Sequence, residues 1–177
     1  MMMTPERYAG AETFAAIMDR PKTNKALWDA IYARVVIPAE IVQRAEALGG
    51  RWNLLVLNED WCGDSVNILP IIGRLAETAR NLELRILGRD VNLDIMDAHL
   101  TGTSRSIPIL VLYNATFNEC GWWGPRPAAL QRWVEEEGLA MSKPDRYREV
   151  RTWYARDRGI TTMLEIVAML EQCCARR

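Results

Sequence analysis

Hydrophobic positions along the chain fall into three segments with different periods. Residues 1–50 place apolar side chains at helical spacing, and residues 139–177 do the same. Between them, residues 51–138 carry short continuous apolar runs bounded by glycine or charged residues. Such runs are typical of strands buried on both faces of a central sheet. The pattern therefore predicts a strand-containing core with a helical extension at each end.

The middle segment predicts four strands and the helices that connect them. The strands are expected at residues 52–57, 82–87, 107–113 and 119–123. Helices are expected at residues 62–80, 93–100 and 127–137. A β-α-β unit followed by a hairpin predicts an α/β domain with a four-stranded mixed sheet flanked by helices.

Length and composition indicate one ordinary folded domain, residues 1–177. The chain is 49% hydrophobic and 25% charged, and its formal net charge is −1. Because no overall positive field exists, we expect no nucleic-acid partner and no membrane partner. Charged residues interrupt the first twenty positions, unlike a signal peptide, and no apolar run is long enough to span a bilayer. We therefore expect a cytoplasmic protein with reduced thiols.

The single histidine and the four cysteines limit the available chemistry. One histidine, His99, argues against a histidine-dependent triad and against a multi-histidine metal centre, so we expect no metal. Four cysteines are too few for a disulfide framework in a chain of this length. Cys120 is expected to be a buried structural cysteine, with a resolving thiol as the alternative. Of the neighbours Cys173 and Cys174, one is expected in the core and the other at the surface.

A cluster of polar and reactive residues lies where the first strand ends and a helix begins. It reads Asp60-Trp61-Cys62-Gly63-Asp64-Ser65. Unpaired amides of the first helical turn, together with the helix dipole, favour a thiolate at Cys62. Ser65 is placed to donate a hydrogen bond to that sulfur. Negative charge from the neighbouring acids, Glu59 included, opposes the thiolate.

This cluster resembles the active-site signature of the thioredoxin superfamily, in particular bacterial thioredoxin-like proteins with a Trp-Cys-Gly-Asp-Ser monothiol motif. Pro70, eight residues after Cys62, matches the proline that kinks the family's active-site helix. Pro108, 46 residues after Cys62, matches the family's cis-proline, and Gly124 follows sixteen residues later. The resemblance covers residues 51–138 and implies a thioredoxin-like fold with a cis bond before Pro108.

The resemblance also implies which residues surround a substrate. The catalytic candidates are Cys62 and Ser65. The substrate-binding candidates are Trp61, Gly63, Asp64, Ile107, Pro108, Trp123 and Gly124. The backbone beside Pro108 is expected to hold an extended substrate by strand-like pairing.

Two departures from the family pattern leave the function open. Ser65 replaces the second cysteine, and Val56 replaces the buried acid that assists it. A single thiol can attack a disulfide, but another thiol must resolve the product. The first hypothesis is monothiol exchange with a protein or small disulfide. The second is a thioredoxin-fold module that binds a peptide or protein without turnover, so enzyme status stays open.

The sequence favours no cofactor. Monothiol glutaredoxins bind iron–sulfur clusters at a Cys-Gly-Phe-Ser site, but Asp64 stands where their phenylalanine lies. Its negative charge disfavours an anionic cluster. The oligomeric state and the identity of the substrate are not specified by any motif.

Overall fold

The computed structural model describes residues 3–20 and 22–176. Its elements are α1 (Pro5–Ala9), β1 (Glu12–Thr13), α2 (Phe14–Asp19), α3 (Lys25–Arg34), α4 (Ala39–Ala47), β2 (Trp52–Asn58), α5 (Gly63–Thr78), β3 (Leu82–Gly88), α6 (Leu93–Met96), β4 (Ile109–Tyr113), β5 (Glu119–Trp123), α7 (Ala128–Glu136), a 3₁₀ turn (Gly138–Ala140), α8 (Lys143–Asp157) and α9 (Ile160–Ala175). The predicted alternation of strands and helices in the middle segment is confirmed.

The sheet has five strands rather than the predicted four, in the order β1-β3-β2-β4-β5. Strands β2 and β3 are parallel, and β4 and β5 add antiparallel neighbours on the other side of β2. The additional strand β1 pairs only Glu12 with Ile86 and Thr13 with Arg85. Two residues are too few to show an alternating pattern, so no pattern of residues indicated this edge strand.

The central strand β2 is buried along its whole length because both faces of the sheet are covered. Alternate side chains enter two separate hydrophobic clusters. Leu54 and Val56 belong to the larger cluster, which includes α5 and α9. Leu55 and Leu57 belong to the smaller one, with residues of α1 and α6. Full burial of such side chains contributes roughly 1.5–3 kcal/mol each, which explains the unbroken apolar run.

The terminal helices complete the larger cluster instead of standing apart from the sheet. Trp28 of α3 and Ile41 of α4 are fully or almost fully buried in it. From the other end of the chain, α8 contributes Tyr154 and α9 contributes Ile166. The helical extensions therefore pack against the same core as the strands, and α8 comes close to the start of α5.

A disulfide joins the last strand to the last helix. Cys120 of β5 is bonded to Cys173 of α9, with 5.5 Å between their Cα atoms. Cys62 and Cys174 are the free cysteines. The expectation that all four thiols are reduced is therefore wrong for this pair. The sequence did not indicate the bond because the two cysteines are 53 residues apart.

Candidate functional site

Cys62 lies at the N-terminus of α5, as predicted. It is the N-cap residue, with extended backbone dihedrals, and its own side chain makes no capping hydrogen bond in this 16-residue helix. The Cys62 amide donates to the carbonyl of Glu59, and its carbonyl accepts from Val66. The residue therefore lies at the N-terminus of a helix, which is where a negative charge is stabilised.

The Cys62 sulfur faces the peptide before Pro108. Pairing of Leu57 with Ile109 brings the start of β4 beside the end of β2. Sγ of Cys62 donates a hydrogen bond to the Ile107 carbonyl at 3.3 Å. The Ile107–Pro108 bond is cis, so that prediction is confirmed. Cys62 is a buried residue, with 9% of its surface exposed.

Ser65 does not form the hydrogen bond expected from the sequence. Its side chain is fully buried, and Oγ has no hydrogen-bond partner among the described residues. The Cys62 thiol uses the Ile107 carbonyl instead. Ser65 therefore occupies the position of a second cysteine as a buried hydroxyl.

Asp64 is the centre of a buried polar network that the sequence did not predict. Oδ1 accepts from Arg126 Nε at 3.0 Å and from the Tyr154 hydroxyl at 2.9 Å. Oδ2 accepts from Arg126 Nη2 at 2.5 Å. The side chains of Arg126 and Asp64 are only 17% and 5% exposed. Arg126 thereby neutralises the acid beside Cys62, which corrects the expectation that Asp64 adds net negative charge there.

Burial and the Asp64 charge keep the other two members of this network in fixed ionisation states. Burial of the guanidinium opposes its charge, but Asp64 outweighs it, so the pKa of Arg126 is raised. Burial first, and then the negative charge of Asp64, raise the pKa of Tyr154 well above its ordinary value. Tyr154 is therefore a neutral phenol whose hydroxyl donates a hydrogen bond to Asp64.

The remaining acids near the motif are also engaged. Asp60 accepts from Arg20 at 2.9 Å, and Glu59 accepts from the Asp90 amide at 2.9 Å. The Arg20 guanidinium offsets the charge of Asp60, whereas Glu59 gains only a neutral amide donor.

The predicted glycine lies against the cis-proline. Gly124 has a φ of 129°, and a Cβ there would lie 2.3 Å from the Pro108 carbonyl oxygen. A side chain would collide with backbone, so glycine is required at this position. The structure thus brings Cys62, Ile107, Pro108 and Gly124 together at one end of the strands, where β2 ends and β4 begins.

The three tryptophans near this end of the sheet differ in exposure and in their contacts. Trp61 is 57% exposed, and the Arg89 guanidinium lies 5.0 Å from its ring centroid. Trp123 is half-buried, and its Nε1 donates to Glu165 of α9 at 2.6 Å. Trp122 is exposed and makes an edge contact with His99. Trp61 is therefore the tryptophan of the motif that is open to a partner.

An open cleft of about 420 Å³ adjoins the site on the side of β5 and α7. Its lining includes Trp122, Trp123, Gly124 and Arg126. Arg126 therefore connects this cleft with the buried Asp64. Gly63 is exposed and lies close to the ring of Tyr147 in α8.

Arg126 and Tyr154 are the site residues that sequence analysis missed. Neither residue was among the predicted site residues: Arg126 lies two residues after Gly124, and Tyr154 belongs to α8. Their contacts with Asp64 span 62 and 90 residues. No local spacing reports a pair that distant, and the sequence signal for Arg126 was its position two residues after Gly124.

Two other family positions are as expected from the sequence. Pro70 lies inside α5, and Val56 is fully buried in β2. Within residues 3–20 and 22–176, no group of three or more histidine, cysteine, aspartate or glutamate side chains is arranged to hold a metal. In the same residues, no helix combines the length and the apolar character needed to cross a membrane.

Comparison with known proteins agrees with this architecture. A family model described as thioredoxin matches residues 11–142. No curated protein sequence matches the chain.

Two solved structures are similar over almost the whole chain. A protein of unknown function from Pseudomonas aeruginosa has a TM-score of 0.75 and 21% identity, covering 96% of this chain and 98% of that one. An HIV epitope scaffold has a TM-score of 0.72 and 20% identity, covering 94% and 96%. The thioredoxin-like fold is thereby confirmed, and the similarity includes the terminal helices.

Proposed function

Because this chain belongs to the thioredoxin family, we propose that it exchanges thiols and disulfides through the single sulfur of Cys62. The observation that carries the proposal is the position of this free thiol. It caps α5 without a competing side-chain cap, and its Sγ lies 3.3 Å from the carbonyl before the cis-proline. A cysteine at a helix N-terminus has the electrostatic environment of a reactive thiol.

The exchange takes place in two steps. The Cys62 thiolate attacks one sulfur of a substrate disulfide, forms a mixed disulfide and releases the other substrate sulfur as a thiolate. An external thiol, after losing its proton, then attacks the substrate sulfur of the mixed disulfide. This step produces a new disulfide and returns the Cys62 thiolate. No second cysteine of the motif takes part, because Ser65 stands at its position.

The residues around Cys62 have distinct proposed roles. The hydrogen bond from Sγ to the Ile107 carbonyl exists only while the sulfur carries its proton. Once Cys62 ionises, that carbonyl is free to accept a backbone amide from an extended substrate. Pro108 and Gly124 shape this strip of backbone. Trp61 and Gly63 are exposed on either side of the sulfur and are the proposed first contacts of the substrate.

The partners we propose are a protein or low-molecular-weight disulfide and a small thiol that completes the cycle. A reducing compartment such as the cytoplasm supplies such a thiol.

Asp64 is assigned a positioning role at the start of α5 and not a direct contact with substrate, because its oxygens are occupied by Arg126 and Tyr154.

The test uses oxidised glutathione as the substrate and intact mass with peptide mapping as the readout. We expect one glutathione adduct on Cys62 of the native protein, and its removal by reduced glutathione. C62A is the matched variant that lacks the sulfur, and C174S removes the other free thiol while leaving the site intact. An adduct that forms equally in C62A, or none on native wild-type protein, would contradict the proposal.

A second candidate is a module that binds a partner without turnover. The small exposed fraction of the Cys62 residue favours it. Cys62 is 9% exposed, whereas the neighbouring Trp61 is 57% exposed. A partner that packs on the ring of Trp61 needs no bond to sulfur. Affinity purification with C62A and W61A separates the candidates. Binding retained in C62A and lost in W61A supports the module, and partners that depend on the sulfur support exchange.

A further inference from the structure

A cleft of about 540 Å³ lies between α3, α5, α8 and the start of α9. Its apolar lining includes the large aliphatic side chains of Leu27, Ile31, Val35 and Ile71. Ile71 is 4% exposed, and Gly159 packs so closely on it that a Cβ there would lie 2.5 Å from Ile71 Cδ1. The base of the cleft is therefore closed and apolar, and its volume falls within the range of about 300–1,000 Å³ of small-molecule sites.

Three arginines surround this apolar lining. Arg34, Arg151 and Arg158 line the cleft, and no carboxylate lines it among the described residues. Within those residues none of the three forms a salt bridge, although Nε of Arg34 donates to the Ala30 carbonyl. Arg151 and Arg158 are exposed, and their guanidinium groups form no ion pair in the part of the chain that the structure describes. This leaves uncompensated positive charge beside apolar surface.

We propose that this cleft binds a small amphipathic anion, an aliphatic chain that carries a carboxylate or similar head group. Aliphatic side chains bury the chain by the hydrophobic effect, and arginine binds a carboxylate with paired N–H donors. A purely polar anion would leave the apolar lining exposed, and a neutral alkane would leave the arginines without a partner.

The cleft also borders the motif at Cys62. Tyr154 lines it, and the hydroxyl of this residue donates to Asp64. Asn67 lines it too, and Nδ2 of this residue donates to the Gly63 carbonyl. A bound ligand therefore contacts two side chains that are one hydrogen bond away from the motif. The binding itself does not depend on the chemistry of Cys62.

Decanoate is the probe, measured by isothermal titration calorimetry below its micelle concentration. We expect saturable one-to-one binding by the wild-type protein. Decanol has the chain without the charge, and acetate has the charge without the chain. Each is expected to bind more weakly than decanoate, because each satisfies only one part of the cleft.

The double variant R151Q/R158Q removes two of the cleft charges and is expected to weaken decanoate binding about tenfold. R148Q/R156Q is the matched control, since it removes the same charge from α8, to which Arg151 belongs and which Arg158 follows directly, at positions outside the cleft lining. A155W blocks the cleft from an exposed lining position and is expected to abolish binding.

Circular dichroism and the unfolding midpoint establish that each variant is folded before its binding is interpreted. Equal weakening in both arginine pairs, undiminished binding in folded A155W, or no saturable binding of decanoate would overturn the proposal. Self-association that depends on Arg151 and Arg158, without decanoate binding, would assign the cleft to a second copy of the chain and would also overturn it.

Discussion

Replacing Arg126 by methionine tests the buried network beside the motif. The substitution removes both guanidinium contacts with Asp64 and leaves its carboxylate with the Tyr154 hydroxyl. The carboxylate is 5% exposed, so little water reaches it to replace the lost donors. We expect R126M to unfold at a markedly lower urea concentration than the wild-type protein.

The magnitude follows from the two lost hydrogen bonds. Each is charge-assisted, and a hydrogen bond to a charged group is worth about 1.5–3 kcal/mol. Breaking a buried ion pair by removing one partner costs about 3–5 kcal/mol. Both routes give a loss of about 4 kcal/mol in the free energy of unfolding, a large fraction of the roughly 5–15 kcal/mol that stabilises a domain.

A double-mutant cycle isolates the interaction. In D64N/R126M the side chain at position 64 carries no charge, so no buried anion is left without an ion-pair partner. The double variant is therefore expected to lose much less than the sum of D64N and R126M. R132M is the matched control, because Arg132 is an exposed arginine of α7, and a loss below about 0.5 kcal/mol is expected.

The assay is urea unfolding followed by circular dichroism, with the slope of the transition compared between variants. A loss below about 1 kcal/mol in R126M, or strict additivity in the cycle, would refute the assignment of Asp64 and Arg126 as a coupled buried pair.

Three further predictions concern other parts of the fold. Reduction of the Cys120–Cys173 disulfide should lower the free energy of unfolding by about 2–4 kcal/mol, because the bond closes a long loop. C120A/C173A should be insensitive to reductant. Burial lowers the pKa of His99, but its contact with Glu119 outweighs burial, so the pKa is raised. The resulting stability is full below about pH 6.5 and is lost as the pH rises through the folded-state pKa. Urea titrations at several pH values should show this fall in the wild-type protein and not in E119Q. G124A should lower the unfolding midpoint because its methyl group collides with backbone.

Local patterns in the sequence were sufficient to predict the sheet core and the position of the thiol. The apolar run of β2 and the helix start after Cys62 each depend on neighbouring residues. Pro108 and Gly124 followed from fixed offsets in a resemblance, and the structure places them in contact. Such features are specified over short distances or by a conserved backbone shape, so one sequence is enough to detect them.

The remaining features depend on residues that are distant in the chain. Asp64 reaches Arg126 and Tyr154 only after β5 and α8 have packed against α5. The Cys120–Cys173 bond likewise needs α9 to lie beside β5. No period or spacing in the sequence reports such contacts, because tertiary packing determines them. Isolated charge counting therefore gave the wrong electrostatic environment for Cys62.

Alkylation of Cys62 in the native protein tests the central claim most directly. The measurement compares the rate of iodoacetamide labelling at Cys62 in native and urea-unfolded protein, with Cys174 as the internal reference and peptide mass to assign each site. If Cys62 exchanges disulfides, a reagent must be able to reach its sulfur, although only 9% of the residue is exposed. We predict that native Cys62 is labelled at least as fast as Cys174. Labelling of Cys62 only after unfolding would contradict exchange at this site.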